Sequence, residues 1–205
     1  MSVFVKLCGM TREADVDAAI AAGADALGFV FAESPRRVTA VRAAELAARM
    51  PEGILRVAVM QHPTAAEWRE VLETFAPDVL QTDAEDFAGL DVPRSLRRWP
   101  VLREGIAAAD TLPEGEFVYE GGRSGQGRSV DWNIASELAR GGLPTQRMVL
   151  AGGLGPDNVA EAIAQVRPWG VDASSGLESA PGRKDPQRMA AFVRAAKSVN
   201  IGTGD

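Results

Sequence analysis

Short apolar runs alternate with helical stretches along the whole chain. The runs are rich in Val, Leu, Ala and Phe and are mostly bounded by Gly, Pro or Asp. Brief apolar runs of this kind are typical of parallel strands that are buried on both faces. The predicted strands cover residues 4–8, 26–31, 56–60, 79–81, 99–103, 117–120, 148–150 and 170–172.

Several of the helices predicted between these strands carry recognisable end signals. A Thr or Asp side chain can accept a hydrogen bond from the first turn, and proline suits the first helical position because its missing N–H would be unpaired there anyway. Glycine commonly ends a helix because it adopts the left-handed conformation without strain. The predicted helix starts are Thr11, the capping-box pair Thr64 and Glu67, Pro156, and Asp185 with Pro186, and the first helix is predicted to end at Gly23.

Roughly eight strand–helix units follow one another, which favours an α/β fold of the (β/α)8 TIM-barrel type. At 205 residues the barrel is small and near-minimal, and we expect one domain over residues 1–205. The boundaries are least well marked in the unit at residues 87–110. An open flavodoxin-like sheet is the alternative fold.

Composition narrows the function classes. The net charge of −6 argues against a general nucleic-acid or membrane role. The first ten residues lack the basic and apolar segments of a secretion signal, and no apolar run approaches the ~18 residues of a membrane span, so a cytoplasmic location is expected. A single cysteine excludes an intrachain disulfide and leaves too few thiols for a zinc or iron–sulfur site, and no metal is expected.

In such a barrel, function is expected at the C-terminal ends of the strands and in the loops that follow them. The glycine pair Gly152 and Gly153 follows the seventh predicted strand, where backbone without Cβ atoms can approach a ligand closely. Ser174, Ser175 and Gly176 follow the eighth strand and can open a short helical turn whose N–H groups face an anion. These two loops frequently form the phosphate site of a barrel, so a phosphate ligand is predicted.

Two further strand-end residues have both a structural and a functional interpretation. A lone cysteine is more often an inert buried residue, but Cys8 ends the first predicted strand, where a thiolate can act as base or nucleophile. Arg36 either belongs to a solvated pair with Arg37 or binds a carboxylate through two parallel bonds. The one histidine, His62, precedes a proline and is interpreted as a loop residue.

Five segments, in a fixed order over the whole chain, form a specific combined pattern. It resembles that of the phosphoribosylanthranilate isomerase family, whose first motif is K-[IV]-C-G-[LIM]-T. The segments are VKLCGMT at 5–11, GADALGFVF at 23–31 with SPR at 34–36, GQGRSVDW at 125–132, LAGGL at 150–154 with NV at 158–159, and DASSGLE at 172–178 with PGRKD at 181–185.

The resemblance implies an isomerase without a cofactor. It implies an Amadori rearrangement of N-(5'-phosphoribosyl)anthranilate to 1-(2-carboxyphenylamino)-1-deoxyribulose 5-phosphate in tryptophan biosynthesis. In this family the cysteine that matches Cys8 is the general base, and the arginine that matches Arg36 pairs with the anthranilate carboxylate. The glycines and serines of the last two loops hold the phosphate. We also assign three residues to substrate binding: Lys6 and Asp172, which lie in matching segments, and Gln81 at the end of the fourth predicted strand. The implied partner is this small phosphosugar alone, bound by a monomer or a homodimer.

The chain departs from the family pattern in the strands that carry polar groups. The family's general acid is usually an aspartate at the end of strand six, where this chain has Glu120. We assign the acid to Glu120, because Asp131 matches a second family aspartate and is predicted to cap the next helix. In strand four the family's histidine is replaced by Asp83, and in the sixth unit its lysine is replaced by Arg128.

Two other functions fit parts of the sequence. A different phosphosugar isomerase or epimerase on the same kind of barrel, including the related isomerase of histidine biosynthesis, is expected to have a carboxylate where this chain has Cys8. A degenerate barrel that only binds phosphate would explain the altered fourth and sixth strands. Binding alone, however, would not require Cys8 together with Arg36.

Overall fold

Eight parallel strands close into a barrel in chain order. The computed structural model describes residues 2–105, 112–121, 130–143 and 145–200. Each strand pairs with the next one along the chain, and the last pairs with the first, so the barrel predicted from the sequence is confirmed and the open sheet is excluded. The strands are β1 (Phe4–Cys8), β2 (Ala26–Val30), β3 (Leu55–Val59), β4 (Val79–Asp83), β5 (Arg97–Arg103), β6 (Gly115–Glu120), β7 (Gln146–Leu150) and β8 (Gly170–Ala173).

Helices surround the barrel unevenly in the part of the chain that the structure describes. They are α1 (Glu13–Ala22), α2 (Ala40–Ala47), α3 (Ala65–Phe75), α4 (Trp132–Gly141), α5 (Val159–Val166) and α6 (Pro186–Ser198). None of these described helices has the length and apolar character that crossing a bilayer would require.

Shorter elements complete two of the units. A 3-10 turn, Ala84–Ala88, follows β4 in place of a longer helix and ends inside the unit 87–110, whose boundaries are least well marked in the sequence. A second 3-10 turn, Ser175–Leu177, follows β8 and confirms the short helical turn predicted after the eighth strand. It leads into a small antiparallel hairpin of β9 (Glu178–Ala180) and β10 (Arg183–Lys184).

Two of the predicted helix starts are wrong. Helix α1 begins one residue later than predicted, after Arg12, and the hydroxyl of Thr11 donates instead to the carbonyl of Gly182 at 2.9 Å. Pro156 lies in the turn before α5, whose N-cap is Asn158. In both cases a contact or turn outside the helix determines where the backbone becomes helical, which local sequence cannot reveal.

The other predicted helix ends are confirmed. Thr64 and Glu67 form a reciprocal capping box at the start of α3. The side chain of Asp185 accepts from two backbone N–H groups at the start of α6, where Pro186 is the first helical residue. Gly23 ends α1 with a φ of 85°, a left-handed conformation that glycine adopts without a Cβ clash.

The core has two layers, one inside the barrel and one between the strands and the helices. The inner layer packs small and branched side chains from six strands, including Ala26, Val57 and Val149. At the N-terminal end of the barrel, Phe4 stacks on Trp169 with ring centroids 4.5 Å apart, and Trp99 packs against both rings. These three rings close one end of the barrel, so the opposite end is the one available to a ligand.

Candidate active site

A cavity of about 170 Å³ lies at the C-terminal end of the barrel. Because the strands are parallel, their C-terminal ends meet there, together with the loops that follow them. The cavity brings together nine of the eleven site residues predicted from the sequence. These lining residues are Cys8, Arg36, Gln81, Glu120, Gly152, Gly153, Asp172, Ser174 and Ser175.

Cys8 is the last residue of β1, and its thiol lies among charged groups. Lys6, two residues earlier on the same face of the strand, is fully buried and donates to Asp172 Oδ2 at 2.7 Å. Burial and the carboxylate of Asp172 raise the pKa of the Cys8 thiol above its ordinary value, and the ammonium groups of Lys6 and Lys184 act in the opposite direction. Cys8 therefore lines the cavity at the mouth of the barrel, with two ammonium groups near enough to favour its thiolate form.

The predicted binding residue Lys6 lies beneath the cavity rather than on its described lining. Burial alone would lower the pKa of Lys6, but Asp172 and Cys8 raise it above its ordinary value, so Lys6 is an ammonium ion. Two lining side chains do present unused acceptors. Within the described residues, the buried atoms Gln81 Oε1 and Asp172 Oδ1 have no hydrogen-bond partner, as expected of groups that receive a ligand hydroxyl.

The position of the Cys8 thiol depends on a glycine in the next strand. Gly28 pairs with Cys8 in the sheet. A Cβ atom at Gly28 would lie 2.8 Å from Cys8 Sγ and 3.2 Å from Lys6 Cε. The missing side chain at this position therefore makes room for both functional groups.

We expect Gly28→Ala to displace the thiol. Overpacking of this kind should cost about 1–3 kcal/mol of stability, and misplacing a reacting group should lower kcat roughly 10- to 100-fold. The matched control is Gly141→Ala, near the end of α4, where a Cβ atom meets nothing within 4 Å. Thermal unfolding and steady-state kinetics of both variants test this. Equal kcat values for the two would show that Gly28 does not position Cys8.

The loops after β7 and β8 form the predicted phosphate end of the cavity. Gly152 and Gly153 have φ angles of 93° and 67°, which point their backbone in a way that side-chain-bearing residues rarely tolerate. Asn158 holds this loop by donating to the Gly153 carbonyl at 3.0 Å. Gly176 does not belong to the described lining. A Cβ atom there would come within 2.1 Å of the Leu154 carbonyl oxygen, so Gly176 lets the two loops pack together.

Arg36 lies at the rim of the cavity and is only 9% exposed, so its interpretation as a solvated residue is wrong. It forms a two-bond ion pair with Glu178, with Nε and Nη2 donating at 2.7 and 2.9 Å. A glycine at position 9 is needed here as well, because a Cβ atom would lie 2.6 Å from Arg36 Cδ. The guanidinium is thus held at one place beside the cavity.

Glu120 ends β6 and reaches the cavity, as predicted for the general acid. It forms an ion pair with Arg103, the last residue of β5, which also donates to Asp83 Oδ1 at 2.6 Å. The two residues that depart from the family pattern in strands four and six therefore bind the same guanidinium. With both carboxylates ionised the trio has a net charge of −1, and a proton on Glu120 would make it neutral.

Among the described residues, His62, Asp83 and Asp86 form a group whose ligand-type atoms all lie within 4.8 Å of one another. Their carboxylates already bind protein donors, since Asp83 accepts from Arg103 and Asp86 accepts from Thr82 and from the backbone of His62. His62 itself is exposed and has a positive φ of 46°, which confirms that it is a loop residue. We therefore interpret the group as an ion-pair network and assign no metal to it.

Three residues of the site were not found from the sequence. Glu178 and Lys184 lie in segments that match the family pattern, and this match was the available signal, but no chemistry was assigned to them. Arg103 had no signal beyond its place at a strand end. The segment 125–129 of the sixth-unit motif, with Arg128, lies outside the described residues. Asp131, which follows it, caps α4 by accepting from Asn133 N at 2.8 Å, as predicted.

Known proteins are similar to this chain over nearly its whole length. A sequence model of the N-(5'-phosphoribosyl)anthranilate (PRA) isomerase family matches residues 5–195. The chain belongs to this family. Among curated relatives, the N-(5'-phosphoribosyl)anthranilate isomerase of Thiobacillus denitrificans is 40% identical over 210 residues, covering 97% of this chain and 100% of that protein.

Solved structures of the family share the fold at lower identity. The phosphoribosyl anthranilate isomerase of Thermotoga maritima superposes with a TM-score of 0.82 at 26% identity, over 96% of this chain and 100% of that one. Another solved structure shows a phosphoribosyl anthranilate isomerase in complex with reduced 1-(o-carboxyphenylamino)-1-deoxyribulose 5-phosphate. It superposes with a TM-score of 0.77 at 26% identity, over the same shares of the two chains.

Proposed function

We propose that this chain converts N-(5'-phosphoribosyl)anthranilate into 1-(2-carboxyphenylamino)-1-deoxyribulose 5-phosphate. The observation that carries the proposal is one cavity that holds a thiol, a carboxyl group, an arginine and two phosphate-type loops, in a chain that belongs to the PRA isomerase family. The reaction needs one acid, one base and fixed geometry. The substrate nitrogen itself accepts the electrons, so the steps balance without a cofactor.

The first step opens the ribose ring, and Glu120 is the proposed acid. Protonation of the ring oxygen breaks its bond to C1, and the anilino nitrogen supplies the electron pair, which leaves an iminium ion between C1 and nitrogen. Glu120 lies at the end of β6, on the cavity. Its partner Arg103 also binds Asp83, so the guanidinium remains charge-balanced by Asp83 while Glu120 carries or releases its proton.

The second step removes a proton from C2, and Cys8 is the proposed base. The electrons of the C2–H bond neutralise the iminium ion and give an enaminol, which becomes the ketone by moving one proton from oxygen to carbon. The lysine pair around Cys8, Lys6 and Lys184, stabilises the thiolate that this step requires. A positioned base and a positioned acid each contribute roughly 10²–10⁴-fold to the rate.

The two anionic ends of the substrate are proposed to hold the reacting carbons between Cys8 and Glu120. Ser174, Ser175 and the glycine pair after β7 bind the phosphate, while Arg36 binds the anthranilate carboxylate. Fixing both ends of the substrate orients the reacting carbons, which lowers the activation free energy by several kcal/mol. The predicted roles of Lys6, Gln81, Asp172 and Gly176 in substrate binding, the single-domain organisation over 1–205, the cytoplasmic location and the monomeric or homodimeric state stay predictions.

Turnover of the substrate by the purified protein tests the function. The substrate N-(5'-phosphoribosyl)anthranilate fluoresces, so its consumption can be followed as a loss of fluorescence. We expect the rate of this loss to increase in proportion to enzyme concentration. Absence of turnover at every substrate concentration, with phosphate still bound, would favour the degenerate barrel. Turnover of another phosphosugar in its place would favour the different phosphosugar isomerase or epimerase. Against that alternative, the chain has the thiol of Cys8 where such an enzyme is expected to have a carboxylate.

Arg36→Ala is expected to weaken the binding of the anthranilate half. The loss of a charge-assisted, two-bond pair should raise KM about 10- to 100-fold. The Kd of inorganic phosphate should change less than about twofold, because the phosphate is assigned to the other end of the cavity. Steady-state kinetics check the KM, and calorimetric titrations with phosphate and with anthranilate check the binding at the two ends. Lost phosphate binding with intact anthranilate affinity would mean that the two ends are assigned the wrong way round.

A further inference from the structure

A buried ionic cluster lies behind Arg36, beyond the described lining of the cavity. Glu178, the first residue of β9, accepts the two bonds from Arg36 at 2.7 and 2.9 Å. Lys184, the last residue of β10, donates to the same carboxylate at 2.8 Å. The side chains of Glu178 and Lys184 are 5% and 0% exposed, so water competes little for these bonds.

This arrangement determines which edge of the Arg36 guanidinium can meet a ligand. A guanidinium has five N–H donors in one plane, and Glu178 takes the edge formed by Nε and Nη2. Arg36 lines the cavity and Glu178 is absent from its described lining, so the remaining edge of Nη1 and Nη2 is the one available on the cavity side. A planar carboxylate can pair with that edge through two parallel bonds.

The charges of the cluster favour an anionic ligand at Arg36. The hydrogen bonds to Glu178 raise the pKa of Arg36, and burial, although opposed by Glu178, lowers the pKa of Lys184. Burial alone would raise the pKa of Glu178, but Arg36 and Lys184 hold it below its ordinary value. With both cations charged and Cys8 in its thiol form, one carboxylate leaves one positive charge in excess, and Arg36 is the cation that reaches the cavity.

Lys184 also connects this cluster to the phosphate end. Its ammonium group donates to the backbone carbonyl of Ser174 at 3.0 Å, and the hydroxyl of Ser174 donates to the Cys8 carbonyl at 3.0 Å. The hairpin of β9 and β10 thus braces Arg36 against the loop that carries the phosphate-type serines. The distance between the two anchors of the ligand is set by this hairpin.

We propose that Glu178, supported by Lys184, is a positioning residue that makes the site selective for a ligand with an aromatic carboxylate. Glu178 presents one edge of Arg36 to that carboxylate, at a fixed distance from the phosphate loop. The inference rests on the proposed function and adds the source of its specificity. Without the Glu178 carboxylate, Arg36 keeps its charge but its guanidinium is no longer held in one orientation. The affinity for the carboxylate end of the ligand should therefore decrease.

The variant Glu178→Gln tests this, because it keeps the shape of the side chain but replaces one carboxylate oxygen by an NH2 group and removes the negative charge. We expect KM to rise about 10- to 100-fold while kcat stays within about fivefold and the Kd of inorganic phosphate within about twofold. Binding of two probes gives a second readout: the reduced carboxyphenylamino product and its phenylamino counterpart without the carboxyl group. The wild type should prefer the first about 10- to 100-fold, and the variant no more than about threefold.

The matched control is Glu116→Gln. Glu116 also pairs with an arginine, Arg147, at 3.2 Å, but it lies near the start of β6 and outside the described lining of the cavity. It should leave KM and the probe preference unchanged. Kinetics of Glu178→Gln that match this control would overturn the positioning role. The proposal would also be overturned if Glu178→Gln lowered kcat and phosphate affinity by the same factor by which it raised KM. That pattern would indicate general damage to the loop.

Glu178→Asp serves if the glutamine variant does not fold. It keeps a negative charge between Arg36 and Lys184 but draws the carboxylate back by one methylene. KM should therefore still rise and the preference for the carboxylate probe should still fall, while phosphate binding persists. Wild-type values for both would also overturn the proposal. Failure of the underlying function looks different, because the wild-type protein would then turn over no substrate and would not distinguish the two probes.

Discussion

Cys8→Ser is expected to lower kcat by roughly 10²–10⁴-fold, as the loss of a general base does. The serine hydroxyl fits the space of the thiol but gives up a proton far less readily. Fold and ligand affinity should persist, because serine is smaller than cysteine and its hydroxyl can replace the thiol in the hydrogen bond with Lys6. Steady-state kinetics and a phosphate titration on the same preparation check this. A variant with near wild-type kcat would remove Cys8 from the mechanism.

The pH profile supplies an independent test of the same assignment. The base must be a thiolate, and burial raises the pKa of Cys8 against the opposing effect of Lys6 and Lys184. Most of the free protein therefore carries the thiol at neutral pH. Catalysis needs the thiolate together with a protonated Glu120, so the two pH dependences oppose each other in the wild type. In Glu120→Gln only the thiolate requirement remains, and we expect kcat/KM of that variant to rise about tenfold per pH unit through neutrality, toward the pKa of the thiol. Adding Cys8→Ser should remove that rise, and a flat profile in Glu120→Gln would contradict a thiolate base.

Glu120→Gln is expected to lower kcat by a similar factor, roughly 10²–10⁴-fold, because an amide cannot protonate the ring oxygen. Stability should change by only about 1 kcal/mol. The amide oxygen can still accept from Arg103, and Asp83 continues to balance the charge of that guanidinium. Kinetics together with thermal unfolding separate the chemical effect from the structural one.

The matched control is Asp131→Asn, which makes the same change from carboxylate to amide at the N-cap of α4. Asparagine caps a helix about as well as aspartate, so the bond to Asn133 N should remain and kcat should stay within a few-fold of wild type, about the effect of a surface change. If Asp131→Asn instead loses orders of magnitude and Glu120→Gln retains activity, the general acid is Asp131 and Glu120 serves only to bind Arg103.

The sequence predicted the strands well because their middles are apolar in any buried parallel sheet. The ends were less accurate where a strand begins on polar residues. The fifth strand was predicted from Trp99 but starts at Arg97, and the seventh was predicted from Met148 but starts at Gln146. Arg97 is exposed and Arg98 is too, since the strand emerges from the closed end of the barrel into solvent. Hydrophobic pattern cannot distinguish such residues from a loop.

The predicted site residues came from strand ends and family motifs, and most of them do line one cavity. What the sequence could not provide was the pairing among charges. Arg36 and Glu178 are 142 residues apart, and Arg103 binds acids from two different strands. Such pairs depend on the closure and stagger of the barrel, which no local pattern encodes. Sequence analysis therefore located Arg36 but not the residue that directs it.

The closure of β1 against β8 has a consequence for the protein as it is synthesised. The bond between Lys6 and Asp172 joins residues 166 positions apart, and Cys8 meets Ser174 across the same seam. Because a nascent chain emerges N-terminus first, Cys8 leaves the ribosome long before β8, the strand that completes its surroundings. A chain truncated before the last unit would retain the cysteine but would be an open sheet with two unpaired edges, a form prone to aggregation. Cys8 therefore acquires its charged surroundings only after β8 has been synthesised and has paired with β1.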